Sequence, residues 1–371
     1  MVFLLTSDFV ADQFIDTSAL PERTAEDARS LGRGFTLFGT YSALYVLTLV
    51  DALAPLPLWA NVIFAIGNGL MIAMLFIVGH DCQHGAFVPG RQWNLWLGRL
   101  AFVPCVHAGS LWRFAHNALH HSRTNLKGTD PVWAPMSVQE YRGASTVRRF
   151  LERVYRGPDG PLIYYYARFW PLTVLLPASR DLRGKRLRHL PDTVFALTGF
   201  VLTISCIMWL GTTLTPERPI WLVVALGWAL PFAVWNYLAG FSFYLNHTHP
   251  ELPWFEDEKL WRTHGDAVTT TIHMKLPLNV LPLYSSSMTH TAHHECPTTP
   301  VYQLPPAQQA LKRERGTAVL EYTLSLGIYL RIVKACKLFD FNQMCWTDFS
   351  GKPTSPRLVP SQAPVNRPSA G

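Results

Sequence analysis

Histidine is the residue whose placement in this sequence points most directly to chemistry. Of the 14 His, eight fall in three short segments, at 80–84, 116–121 and 290–294, and a further pair, His247 and His249, precedes the third segment. Neutral imidazole binds Fe, Cu, Zn and Ni. A general base needs one or two His, whereas eight or nine imidazoles can hold two metal ions. The clusters therefore favour a redox metal centre, with two ions favoured over one.

The elements that must position these histidines are membrane-spanning helices. The chain has 371 residues, of which 49% are hydrophobic and 15% are charged, whereas about 25% of residues are charged in soluble domains. This composition excludes a disordered chain, a coiled coil and a typical cytosolic enzyme. Apolar segments of about 20 residues can cross a bilayer. The sequence predicts four such spans, at 34–54, 58–79, 193–214 and 219–246.

The four predicted spans form two hairpins, because the turn inside each pair is short and contains proline. Of the 32 Lys and Arg, only Arg218 lies in one of these turns. The others lie in the N-terminal segment, the long central loop and the region after the fourth span. By the positive-inside rule, both termini and the central loop are predicted to be cytoplasmic. All the histidine clusters then face the same side of the membrane.

The remaining charge and apolar patterns also point to a membrane surface. The net charge of +7 is accounted for by basic segments attracted to anionic lipid, so nucleic acid is not expected as a partner. Apolar residues alternate with arginines at helical spacing over 147–156, which predicts a helix lying on the membrane. The aromatic residues over 164–170 are typical of an interfacial belt, and the apolar stretch 95–103 is too short to span.

Other metal chemistries fit the pattern less well. No segment contains the zinc-protease signature HExxH, and zinc hydrolases usually need only three protein ligands. The six Cys show no CxxC spacing, so a cysteine zinc site is not indicated. A bis-His haem protein or a metal transporter would place polar ligands inside the spans, yet the predicted spans contain no His. The isolated histidines are interpreted as surface or hydrogen-bonded residues: His107, His189, His264 and His273.

The segments HDCQH (80–84), HNALHH (116–121) and HTAHH (290–294) resemble the three histidine boxes of the membrane-bound fatty acid desaturase family. The resemblance covers about residues 34–305. It implies an all-α integral membrane protein with four transmembrane helices in two hairpins and a helical cytoplasmic cap that holds the metal site. The expected domains are a cytoplasmic N-terminal segment (1–33), the membrane and histidine-box domain (34–306), an amphipathic helical segment (307–350) and a disordered proline-rich tail (351–371).

The resemblance also implies a non-haem di-iron centre. Around the ligands, Asp81, Asn246, Asp130 and Glu295 are expected to orient imidazoles by accepting their other ring N–H, with ordinary surface charge as the alternative for the three acidic residues. His249 is an additional candidate ligand. The implied iron ligands are His80, His84, His116, His120, His121, His247, His290, His293 and His294.

The activity that the resemblance implies is an oxygen-dependent oxidation of a fatty acyl chain. Two ferrous ions, with dioxygen as co-substrate, would remove hydrogen from an unactivated C–H bond. Desaturation is the expected outcome, with hydroxylation or decarboxylation to a terminal alkene as alternatives and a zinc-dependent membrane hydrolase as a remote one. The chain has no dinucleotide-binding fingerprint, so the electrons are expected from an external ferredoxin, or from a haem cytochrome with a reductase.

Overall fold

Four long helices dominate the fold. The computed structural model describes residues 29–177, 182, 185–279 and 281–359. Within this part of the chain, four helices are long and apolar enough to cross a membrane, and they confirm the four predicted apolar helices with boundaries that differ by a few residues. They are Leu31–Leu53, Leu58–His84, Leu190–Leu214 and Ile220–His247, named below the first to fourth long helices.

The short turns between the long helices are tied together by polar side chains. The buried Asn61 donates from Nδ2 to the carbonyl oxygens of Asp51 (2.9 Å) and Ala54 (3.0 Å), at the end of the first long helix. The Asn61 side chain thus adds a donor to carbonyls at the end of the helix, where the regular helical hydrogen bonds stop. Arg218, in the second turn, donates to the carbonyl of Leu56 in the first turn at 2.8 Å. The two turns are therefore linked to each other.

The four long helices differ in how much of their surface the protein itself covers. In the first and third, 17% of the apolar window is buried, against 61% and 44% in the second and fourth. The second and fourth helices are thus the inner pair, and they pack directly on each other. Both end in histidine, His84 and His247.

Shorter helices surround the histidine ends of this inner pair. The predicted helix at 147–156 is confirmed as Thr146–Tyr155, and the stretch 95–103 lies mostly in the helix Arg91–Ala101. The other short helices of the described chain are Gly109–Arg113, Phe114–His120, His121–Arg123, Val138–Gly143, Gly160–Tyr164, Tyr165–Leu175, Arg186–Arg188, Glu258–His264, Ala267–Thr270, Pro282–Ser287, His290–Glu295, Val301–Gln303, Leu304–Arg315, Gly316–Ala318 and Leu326–Ala335.

The segment predicted as an amphipathic helix at 307–350 is helical only in part. Its first helix ends before Gly316, whose φ of +59° lies in the left-handed region that glycine tolerates. The chain then forms strands, because short runs rich in aromatic and β-branched residues find partners there. Glu321–Thr323 pairs in parallel with His273–Lys275, and Leu338–Asp340 pairs in antiparallel with Cys345–Thr347.

Part of the predicted disordered tail is ordered. The N–H of Thr354 donates to the carbonyl of Trp346 at 2.8 Å, and the N–H of Leu358 donates to the carbonyl of Met344 at 2.9 Å. The prediction was therefore wrong for residues 351–359, because their backbone finds hydrogen bonds beside the last hairpin. The rest of that tail and residues 1–28 of the predicted N-terminal segment lie outside the described residues.

Candidate metal centre

The second long helix presents the first pair of histidines in its last turn. His80 and His84 are four residues apart and therefore lie on one face of the helix, with ring centroids 4.8 Å apart. Gly85 ends the helix in a left-handed conformation, with φ of +70°. Gly79 permits close packing, since a Cβ at this position would overlap the ring of Phe102. The helix end is thus fixed directly beside the histidines.

The middle cluster lies on a widened helix. Phe114–His120 is a π-helix, a conformation often found at functional sites. The wider turn brings His116 and His121, five residues apart, within 4.6 Å of each other by ring centroid. His120 points instead toward His247, with ring centroids 4.5 Å apart. One short segment therefore contributes to two separate sets of imidazoles.

The third cluster divides in the same way. His290 and His294 lie four residues apart in the helix His290–Glu295, with ring centroids 4.6 Å apart. His293 points toward the other set, and its ring centroid lies 4.7 Å from that of His80.

The nine imidazoles form two adjacent groups. Within each group, the candidate ligand atoms lie within 4.8 Å of one another. The groups meet where the rings of His121 and His294 stack with centroids 4.1 Å apart. The five-histidine group is His80, His84, His116, His121 and His293, and the four-histidine group is His120, His247, His290 and His294.

The ring nitrogens in each group converge as metal ligands do. Nε2 of His116 lies 2.7 Å from Nε2 of His80 and 3.1 Å from Nε2 of His121, and Nε2 of His247 lies 2.7 Å from Nε2 of His290. Several further ring nitrogens are buried without a hydrogen-bond partner among the described residues, which is costly for a polar atom. The donor set therefore fits metal ions. These atoms are Nε2 of His84, His120, His293 and His294.

Hydrogen bonds to the outward nitrogen fix the orientation of several rings. Nδ1 of His120 lies 3.0 Å from Oδ1 of Asp130, and both side chains are fully buried. Nδ1 of His80 lies 3.3 Å from Oδ1 of Asp81. Because a carboxylate accepts, we assign the proton of each ring to Nδ1, which leaves Nε2 to face the group.

Two rings of the four-histidine group have uncharged outer partners. Nδ1 of His247 lies 3.3 Å from the carbonyl oxygen of Thr270. Nδ1 of His294 lies 3.2 Å from Oγ1 of Thr124, whose own proton is donated to the carbonyl of His120 at 2.8 Å. The hydroxyl therefore accepts from His294, and Nε2 of this ring also points inward.

The other candidates lie around the groups or apart from them. Asn246 is buried and its Oδ1 has no hydrogen-bond partner among the described residues. Glu295 lies beside Arg315, with Oε1 3.8 Å from Nη2. His249 packs on Tyr322 with ring centroids 4.8 Å apart and belongs to neither group.

The histidines interpreted as isolated are also outside both groups. His107 is buried, with Nδ1 2.8 Å from the carbonyl oxygen of Cys105 and Nε2 3.0 Å from the hydroxyl of Tyr165. Nδ1 of His273 lies 3.1 Å from the carbonyl oxygen of Met288. Hydrogen bonding within the protein accounts for both rings.

Burial favours the neutral form of five of the clustered imidazoles. It lowers their pKa well below the usual value, and neighbouring imidazoles lower the pKa further, because each would repel a second positive charge. Neutral imidazole is the form that binds metal. These pKa shifts apply to five clustered histidines outside the long helices, namely His116, His121, His290, His293 and His294.

An apolar pocket of about 60 Å³ adjoins both groups. Its walls include Phe76, Trp235 and Phe243, and its polar members include Ser242 and Tyr284, whose hydroxyls lie 2.7 Å apart. Four histidines line the same space, namely His80, His116, His290 and His293.

Aromatic residues beside this pocket were not identified as site residues from the sequence. Trp112 stacks on His116 with centroids 4.9 Å apart. Tyr165 and Phe169 are buried against Phe243, so these two members of the expected interfacial belt belong to the protein core. The signal available was their four-residue spacing, which predicts a common helix face.

The sequence matches the model of one protein family. The fatty acid desaturase family model matches residues 57–325, which include all nine clustered imidazoles and most of the described chain. The chain therefore belongs to the fatty acid desaturase family, and it is an oxidoreductase.

Individual relatives match over a similar extent. The chain is 27% identical to the sn-1 oleoyl-lipid 12-desaturase of Synechocystis sp., covering 77% of this chain and 78% of the relative. It is 28% identical to the sn-1 acyl-lipid omega-3 desaturase (ferredoxin) of the same organism, covering 76% and 75%. It is 25% identical to the chloroplastic omega-6 fatty acid desaturase of Spinacia oleracea, covering 74% and 58%.

Proposed function

We propose that this protein is an oxygen-dependent di-iron desaturase that introduces a double bond into a fatty acyl chain of a membrane lipid. The observation that carries the proposal is the convergence of nine imidazoles in two adjacent groups beside an apolar pocket. Nine imidazoles in two groups favour two metal ions, because a single zinc ion, as in a hydrolase, needs only about three protein ligands. The names of the relatives support an acyl-lipid substrate.

The protein's own residues supply ligands, orientation and a dry pocket. When bound, a pair of irons supplies the oxidation of an unactivated C–H bond with dioxygen. Asp130 and Asp81 hold protons at Nδ1 of His120 and His80 and so direct Nε2 of each ring toward the metal position. Phe76, Trp235 and Phe243 line the pocket, and they would hold an acyl chain beside the imidazoles and exclude water.

The proposed membrane topology follows from the long helices and the distribution of charge. The four long helices would cross the bilayer as two hairpins, with both termini and the histidine region on the cytoplasmic side. The short helices around the histidine ends would then form the cytoplasmic cap. The exposed apolar surfaces of the first and third long helices support their contact with lipid.

The electron donor is proposed to be a separate protein. One relative's name specifies ferredoxin, and a small acidic carrier of this kind would be complementary to the basic segments of this chain. A haem cytochrome with a reductase is the second candidate, since it is also a separate electron carrier.

The test is mass spectrometry of lipids and volatile hydrocarbons from cells that express the protein, grown with and without oxygen. A new internal double bond that needs oxygen supports desaturation. A hydroxylated chain or a terminal alkene would instead assign hydroxylation or decarboxylation. Unchanged lipids in cells that contain the folded protein and a ferredoxin system would contradict the proposal.

Metal analysis of the purified protein tests the di-iron part separately. About two Fe per chain is expected from the two groups. One Zn per chain, with activity in the absence of oxygen, would support the hydrolase alternative.

A further inference from the structure

A second cavity, of about 270 Å³, shares no lining residue with the pocket at the histidines. It is bounded in part by the helices Thr146–Tyr155 and Tyr165–Leu175. Its volume is many times the ~10–15 Å³ that one water requires. Three arginines line it, namely Arg148, Arg156 and Arg168.

The two carboxylates that line this cavity are already engaged. Asp130 accepts hydrogen bonds from His120 and from two backbone N–H groups. Glu152 accepts from Nε of Arg156 at 3.2 Å and from Nη2 of Arg148 at 3.5 Å. Three arginines against two carboxylates leave an excess of positive charge in the cavity.

Arg156 is the buried member of the three. It is 1% exposed, its Nη2 donates to the carbonyl of Trp133 at 2.8 Å, and its Nη1 is buried without a hydrogen-bond partner among the described residues. An unpaired N–H of a buried guanidinium is costly, so this group favours an added acceptor. Arg168 is exposed and Arg148 is half-buried, which places them toward the mouth.

Exposed apolar residues lie in the two helices that line the cavity, or directly after them. Val147 and Phe150, beside Arg148 in the chain, are 69% and 63% exposed, and Leu172 and Leu176 are 52% and 43% exposed. Apolar side chains exposed in this density are typical of a surface that contacts lipid. The arginines and the apolar residues together match the two ends of a phospholipid.

We propose that this cavity binds the phosphate group of an anionic membrane phospholipid, whose acyl chains lie over the adjacent exposed apolar residues. The planar guanidinium donates two parallel hydrogen bonds to phosphate oxygens, which makes arginine well suited to this role. The bound lipid is not the reacting chain, because the cavity and the histidine pocket have no lining residue in common. The two sites are neighbours, since Asp130 lines the cavity and also holds His120, but lipid binding can be measured without turnover.

The experiment measures binding of short-chain phosphatidylglycerol to the purified full-length protein in non-ionic detergent, by mass spectrometry of the intact complex. The Arg148→Gln/Arg168→Gln double variant is expected to bind about tenfold more weakly or worse, because charged hydrogen bonds are lost. Arg149→Gln is the matched control, since Arg149 lies in the same helix but does not line the cavity. This control is expected to bind as the wild type does.

Two further probes separate a lipid from other occupants. Diacylglycerol of the same chain length lacks the phosphate and is expected to bind weakly. Equal binding of diacylglycerol, or equal binding of phosphatidylglycerol by the wild type and the double variant, would overturn the proposal. Inorganic phosphate that displaces the lipid at equal concentration would assign the cavity to a free anion and would also overturn it. If the double variant unfolds, Arg168→Gln alone, at the exposed mouth, provides the same comparison.

Discussion

The two histidine groups are built from the same kind of residue but are held differently. In the four-histidine group, three rings have a hydrogen-bond partner at Nδ1, namely those of His120, His247 and His294. In the five-histidine group, His80 has such a partner, whereas His293 has none at either nitrogen among the described residues. The four-histidine group is also fully buried, while three of the five rings in the other group are half-buried.

This difference indicates that the protein preorients one group more completely than the other. A ring held by an outer hydrogen bond already presents the correct nitrogen, so less conformational freedom is lost when a metal binds. The five-histidine group would depend more on the metal itself for its final geometry. Variants in each group, and in their outer partners, test this comparison.

The largest expected effect comes from removing one imidazole in each group. His120→Ala and His293→Ala are both expected to abolish product formation and to lower the bound iron, because each removes an imidazole from its group. The long helices are set by hydropathy, so membrane insertion should persist. Metal analysis and lipid mass spectrometry check this. His189→Gln is the control, and full oxygen-dependent activity in both alanine variants would show that these groups do not hold the working metals.

A smaller effect is expected from the outer carboxylates. Asp130→Asn should lower metal affinity about 10- to 100-fold, the range typical for such partners. Asp81→Asn should lower metal affinity less. The distance from Oδ1 of Asp81 to Nδ1 of His80 is 3.3 Å, against 3.0 Å from Oδ1 of Asp130 to Nδ1 of His120. Chelator titration of the iron-loaded proteins measures both. A larger loss of metal affinity in Asp81→Asn than in Asp130→Asn would contradict the inference that the four-histidine group is the more completely preoriented.

The hydroxyl of Thr124 should contribute less to metal affinity than either carboxylate does. Thr124→Val removes the acceptor of the N–H at Nδ1 of His294, and a neutral hydrogen bond contributes about 1 kcal/mol, or about a fivefold change in metal affinity. Ser122→Ala is the matched control, since this hydroxyl lies in the same turn and donates to the carbonyl of Ala118. Equal affinity in the two variants would argue against an orienting role for Thr124.

The smallest effect is expected at His249, which lies near the fourth long helix but in neither group. His249→Gln should leave the iron content per folded chain unchanged. Burial lowers the pKa of His249 to about 4, so the ring is neutral at pH 7 and no charge is lost. Loss of one iron in this variant would mean that His249 is a ligand and that the group boundaries differ from those described above.

The sequence predicted the long helices and the clustered histidines because both signals are local. Apolar segments of spanning length predicted helices such as Leu58–His84 with boundaries that differ by a few residues. Strands around residues 321–323 and 338–347 were missed, because three-residue strands have too short a pattern to compete with helical periodicity. Glu295 was expected to orient an imidazole because it follows the third histidine cluster directly in the chain. Its side chain lies beside Arg315.

The amino-acid sequence by itself determined which imidazoles are available and which helices can carry them, since composition and spacing along one chain fix both. Only the tertiary structure decided how those imidazoles are divided. The π-helical turn at Phe114–His120 sends His116 and His121 to one group and His120 to the other. A neighbouring pair, His293 and His294, separates in the same way, because adjacent residues on a helix point about 100° apart.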